Sequence, residues 1–190
     1  MTTKINAHGV LLMLMFFPLS GLSADNNGYN FGKKLSEPDI RKIDTTVMSN
    51  GQGLPAGSGS YIVGKELYLK KCAACHGVKL EGVAGAGNAL IGGRNSLSSN
   101  KPKKTVESYW PKAPILFDYL KRAMPFDAPG SLTNSEVYAI SAYILGESNV
   151  IDAKTVLDAK SLTDINMPNK DGFFVWPRPG AEKQENTVKK

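Results

Sequence analysis

The five residues 72–76 (CAACH) constrain this chain more than any other stretch. They hold both of its cysteines and one of its two histidines, and the other histidine, His8, lies near the N-terminus. Two thiols at this spacing can reach the two vinyl groups on one edge of a haem, and the histidine that follows then lies beneath the iron. The motif therefore predicts one covalently bound haem c, attached at Cys72 and Cys75 and ligated by His76.

Three other uses of these residues compete with haem attachment. A structural zinc site needs four nitrogen or sulfur ligands, and the chain offers at most three cysteines and histidines beyond residue 8. A thioredoxin-like dithiol follows a strand and opens a helix, whereas a helical pattern precedes these cysteines. A disulfide between Cys72 and Cys75 would span too little chain to be useful. Haem attachment is the interpretation that fits the local context.

The first 24 residues have the pattern of a secretory signal peptide. Lys4 supplies the positive start, residues 10–17 (VLLMLMFF) the apolar core, and residues 22–24 (LSA) a cleavage site of small residues. The apolar run is shorter than the roughly 20 residues that a membrane span needs, and an uncleaved anchor is the alternative. Together with the haem motif, the signal predicts export to the bacterial periplasm, with no stable membrane span after cleavage.

The charge of the exported chain is modest. Cleavage after Ala24 removes one lysine and no acid, which lowers the formal net charge from +6 to +5. Such a charge supports docking on acidic proteins, but no basic patch interleaved with aromatic residues indicates nucleic-acid binding. Five basic residues close to the motifs in sequence are candidates for a docking ring, with an ordinary solvated surface as the alternative: Lys70, Lys71, Lys79, Lys121 and Arg122.

Composition and periodicity predict an all-α haem domain over residues 61–148. A segment rich in Gly, Ser and Pro at 49–60 separates this domain from the preceding chain. We therefore predict an N-terminal extension over 25–60 and a C-terminal extension and tail over 149–190.

Three core helices are predicted in the haem domain. The first covers residues 61–75, the second begins at Pro114, and the third opens at the capping box of Thr133. Gly64 weakens the first helix, and a close crossing with residues 137–144 of the third would explain its presence. The first two helices each have an apolar face: Gly64, Tyr68, Cys72 and Cys75 in the first, and Leu116, Tyr119, Leu120 and Ala123 in the second.

The second axial ligand of the iron cannot be a histidine of the mature chain, because none remains after His76. A methionine thioether is the next good candidate and raises the reduction potential. Met124 precedes the last core helix, where the chain can close over the distal face, and Pro125 stiffens that backbone. We predict Met124 as the ligand, with Met167 as the alternative. If Met124 only packs in the core, the iron is open or lysine-ligated, which suits a haem enzyme or sensor.

The haem motif is very specific for haem but indicates nothing about the substrate, whereas eight other stretches carry further detail, above all SYWP at 108–111 and AMPF at 123–126. The eight are GLPAGSG at 53–59, GGR at 92–94, TVESYWP at 105–111, LFDY at 116–119, RAMPF at 122–126, AP at 128–129 with SLT at 131–133, EVYA at 136–139 and MPN at 167–169. The haem helix, the motif, the Met-Pro pair and the capped last helix resemble class I cytochrome c. From Tyr29 to about Pro179 the chain resembles the cytochrome subunit of bacterial sulfite dehydrogenases, and equally the sulfane dehydrogenase cytochrome of the thiosulfate-oxidising system.

This resemblance implies thioethers at Cys72 and Cys75, axial ligands His76 and Met124, and a molybdenum-cofactor dehydrogenase subunit as partner. The partner would oxidise a sulfur oxyanion, and this chain would pass single electrons to a downstream cytochrome c or terminal oxidase without being catalytic alone. A single haem motif favours the monohaem sulfite dehydrogenase type over cytochromes with a second haem domain. A general electron carrier for another periplasmic dehydrogenase is the alternative.

Arg94 is a further candidate for cofactor binding. It follows two glycines at 92–93, and its guanidinium fork matches a carboxylate. We predict that Arg94 donates hydrogen bonds to a haem propionate, with an ordinary surface arginine as the alternative.

Overall fold

The computed structural model describes residues 32–174 of the 190-residue chain. The predicted signal segment, residues 1–24, and the tail from 175 to 190 lie outside the described residues. All elements named below belong to the unit that begins at Glu37. Within residues 32–174, none of the helices is both long enough and apolar enough to cross a membrane.

The described residues form seven helices and two short strands. In chain order they are α1 (Glu37–Ile43), β1 (Ser58–Ser60), α2 (Tyr61–Lys71), α3 (Ala73–His76), α4 (Val106–Tyr109), α5 (Pro114–Ala123), α6 (Asn134–Glu147), β2 (Val156–Asp158) and α7 (Ala159–Thr163). The prediction of a helical domain is confirmed, and the small sheet is an addition to it.

Helix α6 is the central element of the core. The Thr133 hydroxyl accepts the backbone N–H of Glu136 at 3.2 Å, and the Glu136 carboxylate accepts that of Thr133 at 2.8 Å. This capping box, as predicted, satisfies backbone donors that the first turn of a helix leaves free. Every residue from Val137 to Leu145 is buried, because other elements cover α6 on all sides.

Helices α2 and α6 cross at Gly64, as the sequence predicts. A Cβ atom added to Gly64 would stand 1.8 Å from the carbonyl oxygen of Ala139 and 3.0 Å from Cβ of Tyr143. Only glycine permits this approach of the two backbones. The crossing places the end of α2, and with it the attachment motif, beside the core.

The prediction of one continuous helix over residues 61–75 is wrong. Helix α2 ends at Lys71, and Cys72 leaves the helical conformation with φ −126° and ψ −33° before α3 begins. The four residues predicted to share one face of this helix therefore differ in their exposure. Gly64 and Tyr68 are buried, Cys72 is half-buried and Cys75 is exposed, because the break at Cys72 turns the following residues away from the α6 contact.

The predicted apolar face of α5 is also corrected. Leu116 and Leu120 are buried as expected, but Phe117 takes the place predicted for Tyr119, which is 46% exposed. The cause is the contact with α6, where the ring of Phe117 lies 4.6 Å from that of Tyr138. Sequence periodicity does not show that Phe117 contacts Tyr138, so the predicted buried face contained Tyr119 in place of Phe117.

The segment that precedes the haem domain is fixed to α5 through Asp118. The backbone N–H of Val47 donates to Asp118 Oδ1 at 3.1 Å, and Nε of Arg122 donates to the same oxygen at 2.8 Å. Burial by itself would raise the pKa of Asp118, but these hydrogen bonds and the charge of Arg122 hold the pKa below its usual value. The carboxylate is thus ionised at neutral pH and joins two parts of the chain.

The two strands pair antiparallel and join segments on either side of the haem domain. Ser58 pairs with Asp158 and Ser60 with Val156. The sheet lies on α6, since a Cβ on Gly59 would stand 2.2 Å from the backbone nitrogen of Ala139. Three residues of Ser and Gly have no strand periodicity, so β1 could not be predicted from its residues.

Candidate functional site

The attachment motif lies at the junction of α2 and α3. Cys72 and Cys75 are free thiols, Cys72 at the end of α2 and Cys75 within α3. Burial raises the pKa of Cys72 to about 11, which keeps it a protonated thiol at neutral pH. His76 is the last residue of α3. The structure thus brings the three predicted residues into one turn of chain.

The imidazole of His76 is oriented by a main-chain group. Its Nδ1 lies 2.7 Å from the carbonyl oxygen of Asn88. Because a carbonyl can only accept, Nδ1 carries the proton and Nε2 keeps its lone pair free for a metal. The loop passes close to the ring: a Cβ on Gly87 would stand 3.2 Å from Cε1 of His76 and 2.8 Å from the carbonyl oxygen of Cys75.

Asn88 and Gly87 were not predicted as site residues. Asn88 acts through its backbone carbonyl, which any residue possesses, so its side chain gives no signal. The run of glycines from Gly82 to Gly93 indicated a loop near the motif, but not which residue contacts the imidazole.

Tyr68 fixes the end of the motif to α2. Its hydroxyl donates to the carbonyl oxygen of Gly77 at 2.7 Å, and its side chain is completely buried. Burial, the largest cause, raises the pKa of Tyr68 far above its usual value, so the hydroxyl remains a donor. Gly77 itself has φ +79°, a left-handed conformation that glycine adopts without strain and that reverses the chain after His76.

The two candidate methionine ligands have different surroundings. Met124 follows α5, with Pro125 after it in a cis peptide bond, and is half-buried at the edge of the core. Met167 is 2% exposed and belongs to the core cluster. Met167 therefore has the surroundings of a core residue, whereas Met124 is partly uncovered. Ligation by Met124 stays a prediction.

Arg94 makes contacts that the sequence did not indicate. Its Nε lies 2.9 Å from Glu107 Oε1, and its Nη2 donates to the carbonyl oxygen of Ser148. Glu107 is buried and accepts the backbone N–H of Gly92 at 2.8 Å through its second oxygen. Arg94 thereby holds its loop to α4 and to the end of α6. A guanidinium group has five N–H donors, so Arg94 still has donors for a haem propionate. That contact stays a prediction.

Three of the five candidate docking residues already have partners within the chain. Lys71 lies 3.6 Å from Glu136, the ammonium group of Lys121 donates to the carbonyl oxygen of Leu132 at 2.6 Å, and Arg122 pairs with Asp118. Lys70 and Lys79 are exposed, as Lys71 and Arg122 are, but neither of their ammonium groups has an ion-pair partner among the described residues. These two lysines are therefore the candidates whose charge is not already engaged, and the docking ring stays a prediction.

The residues of the motif fit a covalently bound haem. Two unlinked thiols are available for thioethers, and the hydrogen bond to Asn88 leaves Nε2 of His76 free to ligate iron. Glycine occupies the position where a side chain would crowd the imidazole.

Comparison with known proteins identifies a family and a similar solved structure. The family model described as cytochrome c matches residues 62–147. The chain is similar to a crystal structure of the sulfane dehydrogenase SoxCD from Paracoccus pantotrophus, with 35% sequence identity and a TM-score of 0.74, over 80% of this chain and 74% of that chain. No curated protein matches the chain. The residues matched by the family model include the whole attachment motif and Met124.

Proposed function

This chain belongs to the cytochrome c family, whose covalently bound haem c transfers electrons, and from that premise we propose that it is the haem subunit of a periplasmic dehydrogenase of sulfur compounds. The observation that carries the proposal is the similarity to a sulfane dehydrogenase over most of both chains. The export signal predicted over residues 1–24 supports the periplasm as its location.

In this proposal four residues hold the cofactor. Cys72 and Cys75 would attach it through thioethers, and His76, through Nε2, and Met124 would be the ligands of its iron. The haem, when bound, supplies a one-electron couple. The carbonyl of Asn88 holds the proton of His76 on Nδ1, which fixes the ring in the tautomer that can bind iron.

Catalysis belongs to the partner in this proposal. In this proposal the chain's one histidine beyond residue 8 serves as an iron ligand, so it is not available as an acid–base group for oxygen-atom transfer. We therefore infer a molybdenum-cofactor subunit that oxidises sulfite or a sulfane sulfur by two electrons. This chain accepts those electrons singly and passes them to a downstream cytochrome c or terminal oxidase.

The proposal is tested by mixing the haem-loaded cytochrome with the molybdenum dehydrogenase from the same cells. Addition of sulfite, or of a sulfane substrate, is expected to produce the absorption bands of reduced haem promptly. The cytochrome alone with either substrate is the control and should stay oxidised. Reduction by neither substrate, together with prompt reduction by an unrelated periplasmic dehydrogenase such as one that oxidises alcohols, would leave only a general electron-carrier role.

A second prediction concerns Lys70 and Lys79. Encounters between redox partners are steered by charge, so Lys70→Glu and Lys79→Glu should each slow reduction by the partner. We expect a decrease of about tenfold at low ionic strength, the lower end of steering effects, and little decrease near 1 M salt, where the Debye length is about 3 Å. Stopped-flow absorbance of the haem bands measures both rates.

Lys154→Glu is the matched control for this experiment. It makes the same charge change at an exposed lysine in the loop before β2, distant in sequence from the motif. Equal slowing in all three variants would indicate a general effect of net charge, and rates that do not depend on salt would indicate an ordinary solvated surface.

A further inference from the structure

Three tyrosine rings form a continuous row along the crossing of α2 and α6. Tyr68, hydrogen-bonded to the residue after His76, begins the row beside the attachment motif. Its ring centroid lies 5.1 Å from that of Tyr143, which in turn lies 5.2 Å from that of Tyr61, both within the range of direct aromatic contact. Tyr68 and Tyr143 are buried, and Tyr61 is partly exposed. The row therefore leads from the motif to the surface.

The outer end of the row is built around a carboxylate. The hydroxyl of Tyr61 donates to Glu147 Oε1 at the end of α6. The ring of Tyr61 lies against Gly146, where a Cβ would stand 2.6 Å from Cδ2 of the tyrosine. The hydrogen bond to Glu147, followed by burial, raises the pKa of Tyr61 to about 12. Tyr61 thus keeps its proton at neutral pH, with a base in contact that can receive it.

We propose that Tyr61 is a redox-active tyrosine, with Glu147 as its proton acceptor, which returns an electron to the haem group after a peroxide has over-oxidised that group. The inference rests on the proposed haem attachment at Cys72 and Cys75 and adds a protective reaction to electron transfer. A base in contact with the hydroxyl lowers the barrier to the proton transfer that must accompany oxidation. Neither Tyr61 nor Glu147 is among the residues proposed to hold the haem.

The electrons and protons of this reaction balance. Hydrogen peroxide takes two electrons and two solvent protons, its O–O bond breaks, and two molecules of water form. Both electrons would come from the bound haem group. Tyr61 would replace one of them through the rings of Tyr143 and Tyr68, and the partner dehydrogenase subunit would replace the other. The O–H bond of Tyr61 breaks, its proton goes to Glu147, and a neutral phenoxyl radical remains. An external hydrogen-atom donor such as ascorbate restores the tyrosine, and Glu147 releases its proton to water.

Two measurements on the haem-loaded protein test the proposal. In the first, flash-generated tris(bipyridine)ruthenium(III) oxidises tyrosine directly, and electron paramagnetic resonance detects the radical. Tyr61→Phe, which keeps the ring contacts, should remove the radical that maps to position 61 by spin trapping and mass spectrometry. Glu147→Gln keeps a hydrogen-bond acceptor but removes the base. It should slow the formation of the Tyr61 radical about 10²-fold, the lower end of what a positioned base contributes.

In the second measurement, hydrogen peroxide is the oxidant and the bleaching of the haem bands is followed. Tyr61→Phe should bleach faster than the unmodified protein and show no radical at position 61. Tyr119→Phe is the control, because it removes the hydroxyl of another tyrosine at the surface, an exposed one whose ring contacts Trp110. That variant should behave like the unmodified protein in both measurements.

The outcomes separate this proposal from the function on which it rests. Unchanged radical and bleaching in Tyr61→Phe, or the same changes in Tyr119→Phe, would overturn the assignment of Tyr61. Circular dichroism of each variant verifies that it is folded. A protein without covalent haem would contradict the proposed function, and the ruthenium measurement, which does not need the haem, would still decide the role of the Tyr61–Glu147 pair.

Discussion

Replacing Gly64 with alanine is expected to destabilise the folded protein by about 3 kcal/mol or more, the upper part of the range for overpacked cores. Helix propensity alone would predict the opposite sign, because alanine is the better helix former by roughly 0.5–1 kcal/mol. The new methyl group would stand 1.8 Å from a backbone oxygen of α6 and 2.5 Å from the carbon that bears it. Backbone atoms cannot rotate away, so α2 and α6 must separate. Urea denaturation followed by circular dichroism measures the effect.

Lys65→Ala is the control for this variant. It places the same alanine one position further along α2, at an exposed residue, where surface substitutions stay within about 0.5 kcal/mol. If Gly64→Ala proved as stable as the unmodified protein, the close crossing of α2 and α6 would be contradicted.

The second large effect is expected at Met124. Met124→Ala should remove the weak charge-transfer absorption that a methionine ligand gives to oxidised haem at the red end of the spectrum. It should also lower the reduction potential by an amount on the order of 0.1 V, a fraction of the roughly 0.8 V over which axial ligands tune haem proteins. The lost thioether leaves an open position, so the reduced variant should bind carbon monoxide. Absorption spectra and a redox titration measure all three effects.

Met167→Ala separates ligation from packing. Because Met167 is buried in the core, its truncation should cost about 2–5 kcal/mol of stability and leave the spectrum and the potential unchanged. The reverse pattern would move the ligand to Met167. Carbon monoxide binding by the unmodified protein, with no effect of either variant on the charge-transfer band, would favour a haem enzyme or sensor with an open iron site.

Features that depend on local chemistry could be predicted from the sequence. The capping box of Thr133 was predictable because its two hydrogen bonds join residues three positions apart. The close packing at Gly64 was predictable because a glycine within a helix weakens that helix and needs a compensating contact. The prediction of haem attachment at residues 72–76 rests on their spacing alone.

Features that depend on a distant partner could not be predicted. The break at Cys72 interrupts a pattern that continues in sequence, and the buried face of α5 is set by Tyr138, which lies on α6. The carbonyl of Asn88 has no signature in a side chain. The pairing of Arg94 with Glu107 joins residues of opposite charge that are separated by thirteen positions along an irregular segment, and many other pairings were equally compatible with the sequence.

The small sheet of β1 and β2 imposes an order of assembly on this protein. Ser58 and Asp158 are a hundred positions apart, and contacts of such separation carry a loop-closure cost and form slowly. Residues 72–76 lie within the long loop that this pairing closes, so their thiols and imidazole belong to a segment whose two ends meet late in folding. In the closed domain Cys72 is half-buried, and before β2 pairs with β1 the same segment has more conformational freedom. The sheet therefore favours attachment of the haem before the domain closes.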